Sequence, residues 1–277
     1  VFPKPQCSLQ QNGSLMRFDI DVTLAYHIAD EQVLLALEAA QTPVQRVISA
    51  QLEVAGGTVT RLAAEDGIGT WIWAHLPAGE MHLRYRATVE ISRQEPALEG
   101  LQADPLDHLP AAVLSYLRPS RYCQSDLLGP FLESEFGPEF TALSGGAKIA
   151  HIRDWVGRGM TYRRGASHSG TSAIDTLESR EGVCRDYAHL VCALARAADI
   201  PARYAAVYGT QVSPPDFHAV AQVWLSGAWH FVDATGMCRA NSLALIAVGR
   251  DACEVAFMET ASEARMLRQV VQVTQAA

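Results

Sequence analysis

The sequence predicts an α+β protein: an N-terminal antiparallel β-sandwich over residues 1–95, a linker with short helices over 96–144, and an α+β domain over 145–277. Three patterns predict it. Two stretches near the N-terminus alternate apolar and polar residues with period two; a stretch after residue 183 carries apolar residues at helical spacing; and three strand-like segments follow that helix.

From Phe18 to Ile28 every even position is apolar, while Asp19, Asp21, Thr23 and His27 fill odd ones, the pattern of a half-buried strand. Leu83, Tyr85, Ala87 and Val89 repeat it, interleaved with Arg84, Arg86, Thr88 and Glu90. Weaker alternation at Ile48–Val54, the Gly56-Gly57 turn signal and Trp71–Trp73 predict further strands of the same sandwich. Pro96, Pro105 and Pro110, among several acidic residues, mark the linker. Ile149, Ile152, Trp155 and Val156 predict a helix over 147–157 that ends at its glycines. A clearer helix runs from Cys184 to Ala198, with Tyr187, Leu190, Val191 and Leu194 on one face and Pro201 just beyond its end. Strands are predicted over 203–208, 217–225 and 228–233.

Composition excludes several classes of function. With 49% apolar and 19% charged residues, 277 residues can bury a large core. A net charge of -8 lacks the basic footprint of nucleic-acid binding. No apolar run reaches the roughly 18 residues of a membrane span, and the first residues lack a signal-peptide layout. Neither nucleic acid nor membrane is an expected partner. The six cysteines are scattered rather than spaced as a disulfide framework, which fits reduced thiols and a cytoplasmic protein.

The chemistry concentrates after residue 180. Cys184 opens the strong helix, where unpaired N–H groups and the positive end of the dipole favour an anion, so a thiol there loses its proton more easily. Cys192, deep in the same helix, is expected as a buried hydrophobe. Ser226-Gly227 forms a two-residue hairpin turn, so that paired positions sum to 453. In that register Val220 faces Asp233, His218 faces Thr235, and His218 and Asp233 project from one face as diagonal neighbours, with His230 on the other. An aspartate on one ring nitrogen fixes the tautomer and leaves the other nitrogen for a cysteine. His189 lies too far around the helix to join Cys184. His168 belongs to a glycine-containing loop that could border the cleft.

The strings GVCRDYAHLVCALARAADIPARY and DFHAVAQVWLSGAWHFVDATG resemble the core of the bacterial transglutaminase-like superfamily, as does IAVGRDACEVAF more weakly, over about residues 145–260. The resemblance implies a papain-like fold and assigns Cys184, His218 and Asp233 the roles of nucleophile, base and orienting acid. It also implies acyl transfer on peptide or protein amides through a thioester, by hydrolysis or transamidation. Tyr162, upstream of the cysteine, is the candidate second oxyanion donor beside the Cys184 N–H. Val220 and Ala234 depart from the tryptophan and proline usual in the family. The alternative is a non-catalytic module that binds peptide, or zinc through Cys184, His218 and Asp233. No CxxC or HExxH pair and no EF-hand-like loop is present, so no cofactor and no resident metal are expected; the sequence indicates no oligomeric state.

Overall fold

The alternation over Phe18–Ile28 and Met81–Ile91 builds the two central strands of one sheet, paired antiparallel with Ile20 opposite Ala87 and Val22 opposite Tyr85. The computed structural model describes residues 15–64 and 67–276. Its N-terminal strands are β1 (Met16–Ile28), β2 (Gln32–Leu35), β3 (Gln45–Val54), β4 (Thr58–Ala63), β5 (Thr70–His75) and β6 (Gly79–Ile91). After a segment of short helical turns come α1 (Ala111–Leu114), α2 (Gly129–Thr141), α3 (Gly145–Gly159), β7 (Thr161–Tyr162), α4 (Ala173–Ser179), β8 (Glu181–Gly182) and α5 (Cys184–Ala197). The chain ends with β9 (Ala202–Gly209), β10 (His218–Leu225), β11 (Ala228–Val232), β12 (Leu243–Gly249), β13 (Met258–Glu259) and β14 (Arg265–Gln275).

Two antiparallel sheets, in the orders β14-β1-β6-β3 and β13-β2-β5-β4, form the predicted N-terminal sandwich. The even residues Phe18, Ile20, Val22 and Leu24 are fully or almost fully buried and meet Val33, Leu35, Ile72 and Ala74 in one core. Burying each such side chain stabilises the fold by about 1.5–3 kcal/mol. Residues 258–275, taken from the sequence as part of the C-terminal domain, return to these sheets: β13 pairs with β2, and β14 pairs with β1 along ten positions. As an edge strand, β14 buries Val271 but leaves most of its residues in contact with water, so its pattern carries little of the period-two signal.

The second half holds a sheet in the order β11-β10-β9-β12. One face packs on α5, whose Leu190, Val191 and Leu194 are fully buried with Ala221 and Val223 of β10 and Ile149 and Ile152 of α3. The other face buries Val207, Val220, Phe231 and Leu243. Gln45 ties the halves together, donating to the carbonyls of Ala40 and Leu245 and accepting from the Leu245 N–H at 2.7 Å. Tyr208 donates to the Leu37 carbonyl at 2.6 Å. Within the linker with short helices, α2 forms across a bend at Gly137, whose φ is 68° and which Pro138 follows. Among the described residues, no helix is long and apolar enough to cross a membrane. The five described cysteines are free thiols; Cys7 lies outside the described residues.

Candidate active site

The string GVCRD makes a helix opening that caps itself. Residues 182–183 arrive extended, and Asp186, in the first turn of α5, accepts the Val183 N–H at 2.7 Å through Oδ2, satisfying a donor that the helix leaves unpaired. The Ser167 hydroxyl donates to the same oxygen at 2.6 Å. Gly182 has to be glycine here: a Cβ would stand 2.6 Å from that of Asp186. Cys184 is thereby fixed as the first residue of α5, partly exposed, on the wall of a cavity of about 650 Å³.

The hairpin has the register that the two-residue loop dictates. Leu225 pairs with Ala228 and Ala221 with Val232, both summing to 453, and Ser226 and Gly227 have φ of 50° and 75°, as a type I′ turn requires. The pairing ends at Val232, so neither Val220 with Asp233 nor His218 with Thr235 continues the ladder. Asp233 instead opens a turn in which its own carbonyl accepts the Gly236 N–H. Its carboxylate is held by four donors: Oδ1 by the Thr235 N–H and hydroxyl at 2.9 and 2.6 Å, and Oδ2 by the Cys238 N–H at 3.0 Å and His218 Nε2 at 2.9 Å. His230 points away and bonds the Leu225 carbonyl through Nε2.

With Nε2 on Asp233, the His218 ring turns its buried Nδ1, which has no hydrogen-bond partner among the described residues, to the side of the Cys184 thiol. Burial alone would lower the His218 pKa. The hydrogen bond to Asp233, the nearby Cys184 sulfur and the charges of both groups outweigh it and hold the imidazole at about 9. Tyr162 reaches the same point because β7 pairs in parallel with β8, setting Tyr162 opposite Gly182. Its oxygen lies beside the backbone N–H and thiol of Cys184; burial first, then the Cys184 sulfur, push the phenol up to about 12, so it remains a donor.

Other candidates fall elsewhere. The loop over 163–170 borders the cavity through Arg164, Gly165 and Ser169, but the His168 imidazole turns back onto its own loop and accepts the Gly170 N–H. His189 is buried and accepts the Ala252 N–H at 3.1 Å. Sequence reasoning missed Arg164, Asp216 and Gln269, which meet at the cavity mouth: Arg164 donates to Asp216 Oδ2 at 3.2 Å and Gln269 Nε2 to Asp216 Oδ1 at 2.6 Å. Asp216 stands in the string DFH and was available as a signal; Gln269, on β14, had none. For zinc, the donor atoms that cluster among the described residues belong to His218, Asp233 and Cys238, within 4.8 Å of one another, and do not include Cys184. Both carboxylate oxygens are already engaged by protein donors, and burial pushes the Cys238 thiol up to about 11, a poor set for a metal that needs a thiolate.

The transglutaminase-like superfamily model matches residues 136–234. An uncharacterized protein of Mycobacterium leprae is 31% identical over 119 residues, which cover 40% of this chain and only 42% of that protein's length. A candidate cysteine protease from Cytophaga hutchinsonii, of known crystal structure, superimposes with a TM-score of 0.86 at 32% identity, over 95% of this chain and 92% of that one. On a likeness that runs through nearly the whole of both chains and a core model that spans the helix opening and the hairpin, the chain belongs to the transglutaminase-like superfamily.

Proposed function

We propose that the protein is a cysteine-dependent acyl-transfer enzyme acting on peptide or protein amides, with Cys184 as nucleophile, His218 as the proton-transfer group and Asp233 as its orienter. The observation that carries this reading is the histidine: one nitrogen is fixed on a buried carboxylate, and the other faces a partly exposed thiol at a helix opening, inside a cavity.

The steps follow from these positions. The Cys184 thiol passes its proton to His218 and its sulfur attacks the amide carbon, while the carbonyl oxygen takes up negative charge beside the Cys184 N–H and the Tyr162 hydroxyl, the two proposed donors. His218 gives its proton to the leaving nitrogen as the C–N bond breaks, leaving a thioester. Water, or an amine, then attacks the thioester; His218 takes its proton, and the sulfur leaves. The Thr235 N–H and hydroxyl and the Cys238 N–H keep the Asp233 carboxylate in place, and the carboxylate stabilises the imidazolium throughout.

Mass spectrometry of a peptide library incubated with wild type and with Cys184→Ala, with and without a primary amine, tests the reading. Cleavage, deamidation or cross-linking that needs Cys184 supports it; none with wild type, or the same products with Cys184→Ala, sinks it. The second reading is a metal module on His218, Asp233 and Cys238. It predicts a stoichiometric metal whose removal destabilises the fold, and the occupied carboxylate makes it the weaker one.

A further inference from the structure

The cavity beside Cys184 has a composition that selects a substrate. Part of its lining is made of small residues. Ala206 of β9 and Ala219 of β10 are cross-strand partners, one position from the pair Val207–His218, and both line the cavity. Ala252 and Ala256 line it from the loop before β13. Large apolar residues line it as well. Phe217 stacks on Phe257 with ring centroids 4.6 Å apart and planes 14° from parallel. Ile246 sits where the β12–β9 register shifts between Leu245 and Ala247, a bulge that sets it into the lining.

Every charged group on this lining is already committed. The Asp216 carboxylate takes Arg164 on Oδ2, and Gln269 together with the Phe217 N–H on Oδ1. Arg185 donates to the Ser167 hydroxyl and the His168 carbonyl at 3.2 and 2.9 Å. A charged substrate side chain entering here would lose water and find no uncommitted counter-charge, whereas an apolar one would leave water for aromatic and aliphatic walls.

Resting on the acyl-transfer reading, we propose that this cavity is a specificity pocket for a large uncharged apolar side chain, aromatic or leucine-like, flanking the attacked carbonyl, and that it rejects lysine and glutamate side chains there. Alanine at 206 and 256 leaves the space that the side chain fills.

Peptidyl chloromethyl ketones test this without requiring turnover, because a seated side chain holds the electrophile at the thiol and speeds its alkylation. Second-order rates of Cys184 alkylation are measured by intact-mass spectrometry for acetyl-Phe, acetyl-Leu, acetyl-Gly, acetyl-Lys and acetyl-Glu reagents, with iodoacetamide as the side-chain-free reference. The Phe and Leu reagents should react at least about tenfold faster than the Lys and Glu ones, the range one seated apolar side chain commands. In Ala206→Leu, and separately in Ala256→Leu should the first fail to fold, the ratio of Phe to Gly rates should fall about fivefold or more. Equal rates across the reagents, or a ratio that neither variant changes, overturn the pocket while leaving the acyl-transfer reading in place. If iodoacetamide labels Cys184 no faster than Cys192, the acyl-transfer reading falls and the pocket with it.

Discussion

Two turns of one helix separate two cysteine–histidine neighbourhoods with opposite properties. At the opening of α5, Cys184 is partly exposed and shares His218, whose imidazole is held up to about 9. In its middle, Cys192 is fully buried and pushed up to about 12 by loss of water, and His189 is pushed down to about 3, chiefly by burial. His189 lies between the rings of Tyr122 and Tyr204, centroids 5.2 and 5.1 Å away, with Ala252 as its hydrogen-bond donor. Both histidines are desolvated; only His218 has a carboxylate at hydrogen-bond distance to compensate. The difference teaches that reactivity here comes from partners and position, not from residue type.

The largest effect expected from that contrast is kinetic. Cys184→Ala should lower turnover by roughly three orders of magnitude or more, whereas Cys192→Ala should keep turnover within about twofold and lose about 1–2 kcal/mol of stability from the small void. Iodoacetamide at pH 6 should label Cys184 far faster than Cys192. Comparable turnover in the two variants would erase the distinction between the helix opening and its middle.

Next comes the histidine and its orienter. His218→Ala should be nearly as severe as Cys184→Ala, and the double variant little worse than the worse single one, because the two act as a unit. Asp233→Asn should be milder, roughly a hundredfold, since the orienter takes no proton itself. Full activity in Asp233→Asn on a turned-over substrate would remove the orienting role.

A smaller effect lies in the pH profile. The proposed mechanism needs the protonated imidazole to release the leaving amine, so activity should fall as pH rises through about 9, where His218 would lose that proton. Removing the Asp233 charge removes one of the influences that raise this value, so Asp233→Asn should move the alkaline limb to lower pH. An unmoved limb in a rate-versus-pH series would detach the limb from this pair.

The parts of this contrast legible in sequence were those fixed by local geometry. Period two located β1 and β6, a two-residue loop set the β10–β11 register, and helical spacing placed Cys184 at an opening and Cys192 inside. What stayed hidden depended on distant segments. The residues of β12 are buried without exception, so its apolar run has no period to read, and β14 hides as a mostly exposed edge. Of the short helices expected over 96–144, α2 crosses the Gly137-Pro138 bend, which interrupts any helical period. In the site, Gln269 lies 53 residues beyond the aspartate it holds, a contact that only the return of β14 to the first sheet creates.

The smallest predicted effect tests the middle of the helix by thermodynamics. His189 has a folded pKa near 3, while an unfolded histidine titrates near 6.5. Between these values the unfolded chain binds the extra proton, so stability from this group is intact above about 6.5 and is lost as pH falls toward 3. From pH 7 to pH 5 the loss amounts to about 2 kcal/mol. His189→Phe removes the titration but leaves the Ala252 N–H without its acceptor, a cost of about 1–3 kcal/mol that does not depend on pH. Urea denaturation should therefore find the variant less stable than wild type at pH 7, with the gap closing to near zero by pH 5. Were the gap the same at both pH values, His189 would not be the buried neutral group that sets the middle of α5 apart from its opening.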